Sequence, residues 1–211
     1  MIGNQFLAVG GTDFQNINEM FKGDDGFVAG GGADEADTIL TWNGSAYDNI
    51  YYYDNYSEPY EWYNVEDVDN ATTDVVTTGQ GFWFKHLGTT TITATLAGEV
   101  PMDATITVTL TPGLNFVSNP YPMAICPNGG NFTIEGAVAG GGADEADTIL
   151  TWNGSAYDNI YYYDNYSEPY EWYNVEDVDN AVSESILKPA MGFWYKHLGN
   201  ENATLTFSKP Y

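Results

Sequence analysis

Clustered carboxylates are the side chains of this sequence best placed to do chemistry. The loop sequence GGGADEAD occurs twice, and its six carboxylates are Asp34, Glu35, Asp37, Asp144, Glu145 and Asp147. Several carboxylate oxygens on a flexible loop are the ligands that a hard cation prefers, although the spacing does not match an EF-hand loop. We interpret the six residues as a candidate calcium site, with a solvated acidic surface as the alternative.

Signs of catalysis are weak. His86 and His197 occupy equivalent positions in the stretches GFWFKH and GFWYKH, which favours a structural role for both. The sequence has no nucleophile elbow, zinc-protease motif or phosphate-binding glycine loop. Carboxylate pairs of the kind that glycosidases use are abundant, but nothing singles one out. We therefore predict a protein that is not an enzyme.

Asn-x-Ser/Thr sequons are candidate glycosylation sites if the chain is secreted by a eukaryote. They are Asn43, Asn55, Asn70, Asn131, Asn153, Asn165 and Asn202. Asn43 and Asn153 also begin Asn-Gly pairs, which favour the tight turn of a β-hairpin. A turn explains these two asparagines without a glycan.

An aromatic and acidic stretch, NIYYYDNYSEPYEWYN, spans residues 49–64 and recurs identically at 159–174. Successive side chains of a strand point to opposite faces, so one face fills a core and the other meets solvent, a sugar or a neighbouring subunit. The tyrosines predicted on that second face are Tyr52, Tyr56, Tyr60, Tyr162, Tyr166 and Tyr170. Cross-strand aromatic pairing in an ordinary sheet, a protein interface and a carbohydrate site are the competing interpretations.

The composition excludes some partners. The 211 residues carry a formal net charge of −25, and the pI is about 4.1. Such a field repels phosphate backbones and anionic membrane surfaces and attracts cations, so we predict neither nucleic-acid binding nor membrane insertion. The lone Cys126 excludes an intramolecular disulfide. The start, MIGNQFLAVGG, does not read as a signal peptide, so we expect an intracellular protein or a mature form.

Internal repetition sets the domain organisation. Residues 28–71 are identical to residues 138–181. Outside this block, GNQFLAV at 3–9 corresponds to GLNFVSN at 113–119, and GFWFKHLG at 81–88 corresponds to GFWYKHLG at 192–199. The sequence therefore predicts two tandem modules, which we name module one (1–100) and module two (101–211).

Each module reads as a succession of short β-strands separated by Gly, Pro, Asn and Asp. The predicted strands are TILTW (38–42), AYDNIYYY (46–53), YEWYNV (60–65), GFWFKH (81–86), TTITATL (90–96), ATITVTL (104–110) and LNFVSN (114–119). Helix is scarce, with one candidate at 12–21 capped by Thr12 or Asp13. We predict an all-β protein made of two antiparallel β-sandwiches, either immunoglobulin-like or jelly-roll-like.

The two modules differ at their starts. The strand pattern ATITVTL lies at the start of module two, ahead of LNFVSN, and module one has no equivalent before Met1. A sandwich without one strand exposes unpaired backbone and an apolar groove, which invites a strand from another chain. The predicted donor is the C-terminal NATLTFSKPY or a strand lost to processing. The residues predicted at this interface are Asn4, Phe6, Ala203, Leu205, Phe207 and Tyr211.

The order of these motifs resembles a type of bacterial extracellular β-sandwich module that often occurs in tandem in secreted and surface proteins. The resemblance is carried by residues 113–122, 146–157, 161–163, 172–173 and 192–197, and most of it recurs in module one. Module one departs at AVGGTDF (8–14), where SNPYPM is expected. The resemblance implies a secreted location and assembly into surface layers, adhesins or fibrils, and it implies no enzymatic activity.

These observations lead to one expectation and one rival. The expectation is a structural subunit of an extracellular fibril or surface assembly, a homopolymer built head to tail by strand complementation. The rival is a carbohydrate-binding or calcium-dependent adhesin module with a glycan as its partner. Calcium is the only cofactor that the acidic loops suggest.

Overall fold

The computed structural model describes residues 1–7, 14–21, 26–56, 59–94, 96, 98–166, 168–184 and 186–211. These residues form an all-β protein of antiparallel sheets, and none of the sheets they form closes into a barrel, which confirms the predicted fold class. A short helix, α1, spans Ile17–Met20 with Asn16 as its N-cap; the predicted caps Thr12 and Asp13 lie outside the described residues. No helix in this part of the chain is long and apolar enough to cross a membrane.

Most strands lie within a residue or two of their predicted bounds. The strands of module one are β1 (Ile2–Gly3), β2 (Phe14–Asn16), β3 (Thr38–Trp42), β4 (Tyr47–Tyr53), β5 (Glu61–Asn64), β6 (Val75–Thr77) and β7 (Gly81–Lys85). The strands of module two are β8 (Thr105–Leu110), β9 (Gly113–Ser118), β10 (Phe132–Glu135), β11 (Thr148–Trp152), β12 (Tyr157–Tyr163), β13 (Glu171–Asn174), β14 (Asp177–Ala181), β15 (Gly192–His197) and β16 (Ala203–Ser208).

Module two is a complete sandwich of two sheets. Its larger sheet has the strand order β14-β13-β12-β11-β15-β9, and its smaller sheet has the order β10-β16-β8. Threonine and apolar residues alternate along β8 and β16, so each strand presents one apolar face. Leu110, Leu205 and Phe207 from the small sheet pack against Ile149 and Trp172 from the large one. The two inner faces therefore bury one shared core.

Module one repeats the large sheet, and its described residues form no counterpart of the small one. Its five-stranded sheet has the order β1-β7-β3-β4-β5, and the registers of β3 with β4 and of β11 with β12 are the same. Its second sheet is the pair β2-β6, which corresponds to the isolated bridge between Ile125 and Leu187 in module two. The predicted strand at 90–96 is wrong, because none of its described residues belongs to a ladder.

The alignment of the first strand is also corrected by the structure. Asn4 Nδ2 donates to Val76 O, as Asn119 Nδ2 donates to Leu187 O. In both places the Asn Oδ1 accepts the N–H two residues further on. Asn4 therefore takes the place of Asn119, and not of Leu114 as the sequence comparison predicted. The stretch that departs from the expected SNPYPM thus begins at Gly3, the counterpart of Ser118, and not at Ala8.

The modules pack face to face about a pseudo-twofold axis. Gly3 N–H donates to Ala190 O at 3.0 Å, and Ser118 N–H donates to Gly79 O at 2.7 Å. These bonds are reciprocal, because Gly3 corresponds to Ser118 and Gly79 to Ala190. A Cβ on Gly3 would overlap the Cβ of Ser118, so only glycine fits at this crossing.

Tryptophans form the second part of the contact between the modules. The rings of Trp42 and Trp194 are 5.4 Å apart, and the equivalent pair, Trp152 and Trp83, is 6.1 Å apart. Phe116 stacks on Trp194 with centroids 4.4 Å apart. The arrangement is that of an isologous interface built within a single chain.

Candidate strand-acceptor site

One edge of β7 is only partly paired. In module two, β9 pairs with β15 along its whole length, from Gly192 to His197. In module one, β1 pairs with β7 only at Phe82 and Gly81. Along Phe84 and Lys85 the outer edge of β7 therefore meets no strand of the described residues. Unpaired strand edges of this kind are templates for further strands.

The segment 91–96 follows β7 and corresponds to β16. Ile92 and Leu96 pack against the core of module one, as Ala203 and Phe207 pack in module two. Ala94, at the position of buried Leu205, is exposed. Ile92 and Leu96 are thus in place on the core, while the described backbone groups of the segment join no ladder.

The direction of the unpaired groups follows from β16. Ser208 N–H donates to Asn131 O beside β10, and Lys209 N–H donates to Ala104 O beside β8. Backbone groups alternate between the two edges of a strand, so Ala203, Leu205 and Phe207 face β8. The equivalent residues of module one, which face the position of the missing strand, are Ile92, Ala94 and Leu96.

The equivalent turns 77–80 and 188–191 have different surroundings. In module one the turn at 77–80 packs against β8, and a Cβ on Gly79 would lie 3.2 Å from Val108 Cγ2. The equivalent turn of module two, 188–191, instead borders a cleft of about 910 Å³ that Met1 and Trp152 also line. Trp42 Nε1 donates to Leu114 O at 2.8 Å, and Trp152 has no such bond within the described residues. Apart from Met1, the residues that line the cleft belong to module two, so the cleft lies beside the start of β1.

An ion pair between the half-buried His86 and the buried Asp37 lies where the chain passes from β7 into this segment. Asp37 Oδ2 lies 2.8 Å from His86 Nδ1, and Asp37 Oδ1 accepts the N–H of Leu87 at 2.8 Å. His86 Nε2 lies 3.0 Å from Thr90 O. Both ring nitrogens face acceptors, so the ring binds both only as a doubly protonated imidazolium. The hydrogen bond to Asp37 raises the pKa of His86 above its ordinary value, with burial opposing and the Thr90 carbonyl adding to the rise. We name this arrangement the Asp–His clasp.

Module two has the same clasp in a deeper position. Asp147 Oδ2 lies 2.9 Å from His197 Nδ1, and His197 Nε2 lies 2.9 Å from Glu201 O. The Tyr195 hydroxyl donates to Asp147 Oδ2 at 2.8 Å, and burial raises the pKa of this tyrosine well above its usual range. Neither histidine has a nitrogen available to take a proton from a substrate. The geometry therefore supports a structural role for the clasp.

The predicted interface residues are corrected in part. Ala203, Leu205 and Phe207 are buried in the core of module two, and β16 is paired on both sides, so this strand is not available as a donor. Asn4 is buried and bonded to Val76 O, and Phe6 is half-buried beside it. The hydroxyl of Tyr211 donates to Pro101 O within the same chain.

The predicted aromatic surface divides into two groups. Tyr52 is buried in the core of module one, which corrects its assignment to the surface, and Tyr162 packs against the core of module two. Tyr60 and Tyr170 are half-buried, each in edge-to-face contact with one of these rings. The side chains left in solvent are Tyr56, 94% exposed, and Tyr166, 95% exposed. The opposite face of the sheet is also covered, since Tyr51 packs with Ala36 of the acidic loop.

The acidic loops are not drawn together around an ion. Asp37 and Asp147 are fully buried in the clasps, while Asp34, Glu35, Asp144 and Glu145 lie on the surface. Among the described residues, no group of three or more His, Cys, Asp or Glu side chains is arranged to hold a metal. The buried aspartates thus take part in a role that the calcium hypothesis did not include.

The sequon asparagines lie mainly on turns. Asn43 and Asn153 organise the hairpin turns, where each Oδ1 accepts two N–H groups and the following glycine has a positive φ. Asn131 Nδ2 donates to the carbonyls of Ser208 and Lys209. The other four, which are exposed or half-buried, are Asn55, Asn70, Asn165 and Asn202.

The pairing of Asp37 with His86 was missed by sequence reasoning. A signal was present, because Asp37 directly precedes the strand TILTW and follows an alanine, whereas Asp34 and Glu35 follow three glycines. The same acid and the same histidine recur in the second copy at nearly the same separation. A carboxylate at the start of a buried strand needs a partner, and the histidine is the natural candidate.

No protein-family model matches the chain, and no curated protein or solved structure is significantly similar to it.

The clasp predicts the pH dependence of stability. Since the folded-state pKa of His86 is raised above 6.5, its contribution to the free energy of unfolding is fully present below pH 6.5 and is lost as the pH rises through the folded pKa. NMR titration of the His86 Cε1–H should give a midpoint above 6.5. The free energies of unfolding of the native chain and of His86→Gln, measured in urea, should differ most at acidic pH. A difference that grows with rising pH would contradict the clasp.

Proposed function

We propose that this protein is a structural subunit of an extracellular fibril or surface assembly, and that module one accepts a β-strand from a neighbouring polypeptide. The supporting observation is the segment 91–96, in which Ile92 and Leu96 pack on the core while none of the described residues pairs with a strand. In module two the equivalent position is filled by β8. Main-chain hydrogen bonds to an added strand supply both cohesion and register.

Charge favours association at this edge over other surfaces. The chain carries a net charge of −25, and like-charged surfaces repel. Between Lys85 and Glu99 the sequence contains no Asp, Glu, Lys or Arg. An incoming strand therefore meets the least repulsion along 91–96. Added cations or mild acid screen or neutralise the remaining acidic surface, so we expect them to promote assembly.

The geometry favours an open-ended assembly. The acceptor is a groove in module one, and the donor is a strand, so the two surfaces differ. Contacts between two different surfaces are heterologous and give filaments unless the rotation closes a ring. The donor is not β16, which its own module holds on both edges.

Assembly is tested by a proline at the open edge. Wild-type protein should form fibrils in negative stain. Ala94→Pro removes a backbone N–H that faces the empty position, so this variant should form none. The wild-type chain staying monomeric across cation concentration and pH, or the variant assembling equally well, would overturn the proposal.

The control for this experiment is stability. Ala94→Pro removes no ladder bond, so it should change the free energy of unfolding by less than about 0.5 kcal/mol. At the equivalent position of β16, Leu205→Pro should be less stable than Leu205→Ala by about 1–3 kcal/mol, because a ladder bond is lost and a carbonyl is left unpaired. Urea denaturation of dilute monomers measures both differences.

A carbohydrate-binding or calcium-dependent adhesin is the second candidate. Tyr56 and Tyr166 support it, because both rings stand almost free in solvent at positive φ, a backbone conformation that bulky residues seldom adopt. Exposed tyrosines stack on sugar rings. A glycan array with and without calcium should show selective binding that Tyr56→Ala and Tyr166→Ala abolish together. Equal signals from the native and doubly substituted proteins would remove this candidate.

A further inference from the structure

The equivalent edges of module two are both paired, and their partner indicates what kind of strand fits the two open edges of module one. Strand β8 lies along β16 in the small sheet, and two residues later β9 lies along β15 in the large sheet. One continuous segment, residues 104–116, therefore pairs first with one sheet and then with the other. By the internal repeat, the corresponding receiving edges of module one are the segment 91–96 and the end of β7.

Because the modules are repeats, the register of this pairing in module two gives the register expected for an added strand in module one. In module two, Leu205 faces Val108 and Phe207 faces Ile106. The corresponding residues of module one are Ala94 and Leu96. On the large sheet, Lys196 faces Leu114, and Lys196 corresponds to Lys85.

The side chains of the segment fit the core of module one. Ile106 and Val108 point inward in module two and pack against its core, while the threonines between them are exposed. Ala94 is smaller than Leu205 of module two, and it is exposed where Leu205 is buried. A β-branched or leucine side chain opposite Ala94 therefore has room to enter.

The corner between the two strands has its own requirements. Gly113 has a φ of +95°, a conformation that favours glycine. Asn115 Nδ2 donates to Thr111 O at 2.8 Å, and Asn115 Oδ1 accepts the Thr111 N–H at 2.9 Å. The sequence Thr-Pro-Gly-x-Asn thus closes the turn that carries the segment from one sheet to the other.

The charge of the receiving segment and the existing pairing of residues 104–116 limit which strand can occupy the acceptor site. Residues 104–116 contain no charged side chain, and the receiving segment 87–98 contains none. The segment already lies in the ladders of module two, so a folded copy donates it only by opening its own sandwich. In the proposed assembly the occupant is a strand of this chemistry on the neighbouring polypeptide, and a second copy of this chain supplies it from residues 104–116 when its own sandwich opens.

We propose that module one binds an uncharged β-strand in which threonine alternates with isoleucine, valine or leucine over six residues, followed by a Thr-Pro-Gly-x-Asn corner and a short apolar strand. This identifies the partner of the acceptor site and rests on the proposed function. Residues 104–116, with their six-residue strand β8, are the template for it.

A synthetic peptide with the sequence of residues 104–116 tests the inference. It should bind the full chain one to one in calorimetry. A peptide of the same composition, permuted so that the alternation is lost, should bind at least about tenfold more weakly, since its apolar side chains would face both sides. Ala94→Pro should abolish binding of the native sequence. Equal binding of the two peptides, or binding unaffected by Ala94→Pro, overturns the inference.

A grafted chain provides the second test. The sequence of residues 104–115 is placed directly before Met1, which occupies the position of Phe116. The graft should raise the melting temperature by several degrees and eliminate peptide binding, while a permuted graft should do neither. An unchanged melting temperature with peptide binding retained overturns the inference.

The outcomes separate this inference from the proposed function. Peptide binding together with a wild-type chain that never assembles upholds the strand partner and removes the fibril. Fibrils that still form from the grafted chain and in excess peptide uphold assembly and overturn the strand partner.

Discussion

The structure depends on one constraint: a β-strand laid on a core has backbone N–H and C=O groups that need partners. In module two β8 and β10 meet that need on both sides of β16. In module one the segment 91–96 lies on its core, but its described residues are in no ladder. The Asp–His clasp ties the chain at the start of this segment to the buried Asp37.

The identical block at 28–71 and 138–181 shows how much local sequence decides. Both copies form the same hairpin in the same register, with the same clasp aspartate and the same turn asparagine. The copies differ at one edge, where residues 177–181 form β14, and the identical residues 67–71 form only a bridge from Asp67 to Asn64. Whether each module forms a complete sandwich is therefore decided by segments outside the identical residues.

Periodicity and turn chemistry predicted the fold class, the hairpin and most strand positions, because these depend on local side-chain alternation and on Asn-Gly turns. The burial of Tyr52 was not predictable from alternation, since loops cover both faces of its sheet. The place of Asn4 was hidden because its neighbours resemble the wrong part of β9, and only its bond to Val76 O reveals the match. Packing of the modules face to face depends on tryptophan pairs distant in sequence, which no local pattern specifies.

Amide hydrogen exchange of the dilute monomer tests the central claim most directly, because exchange reports whether each N–H is bonded. The amides of Ala203, Leu205 and Phe207 lie within the three-stranded sheet and should be protected. The amides of Ile92, Ala94 and Leu96, which face the empty position, should exchange orders of magnitude faster. Equal protection of the two sets would show that module one closes its own sandwich, and would contradict the acceptor site.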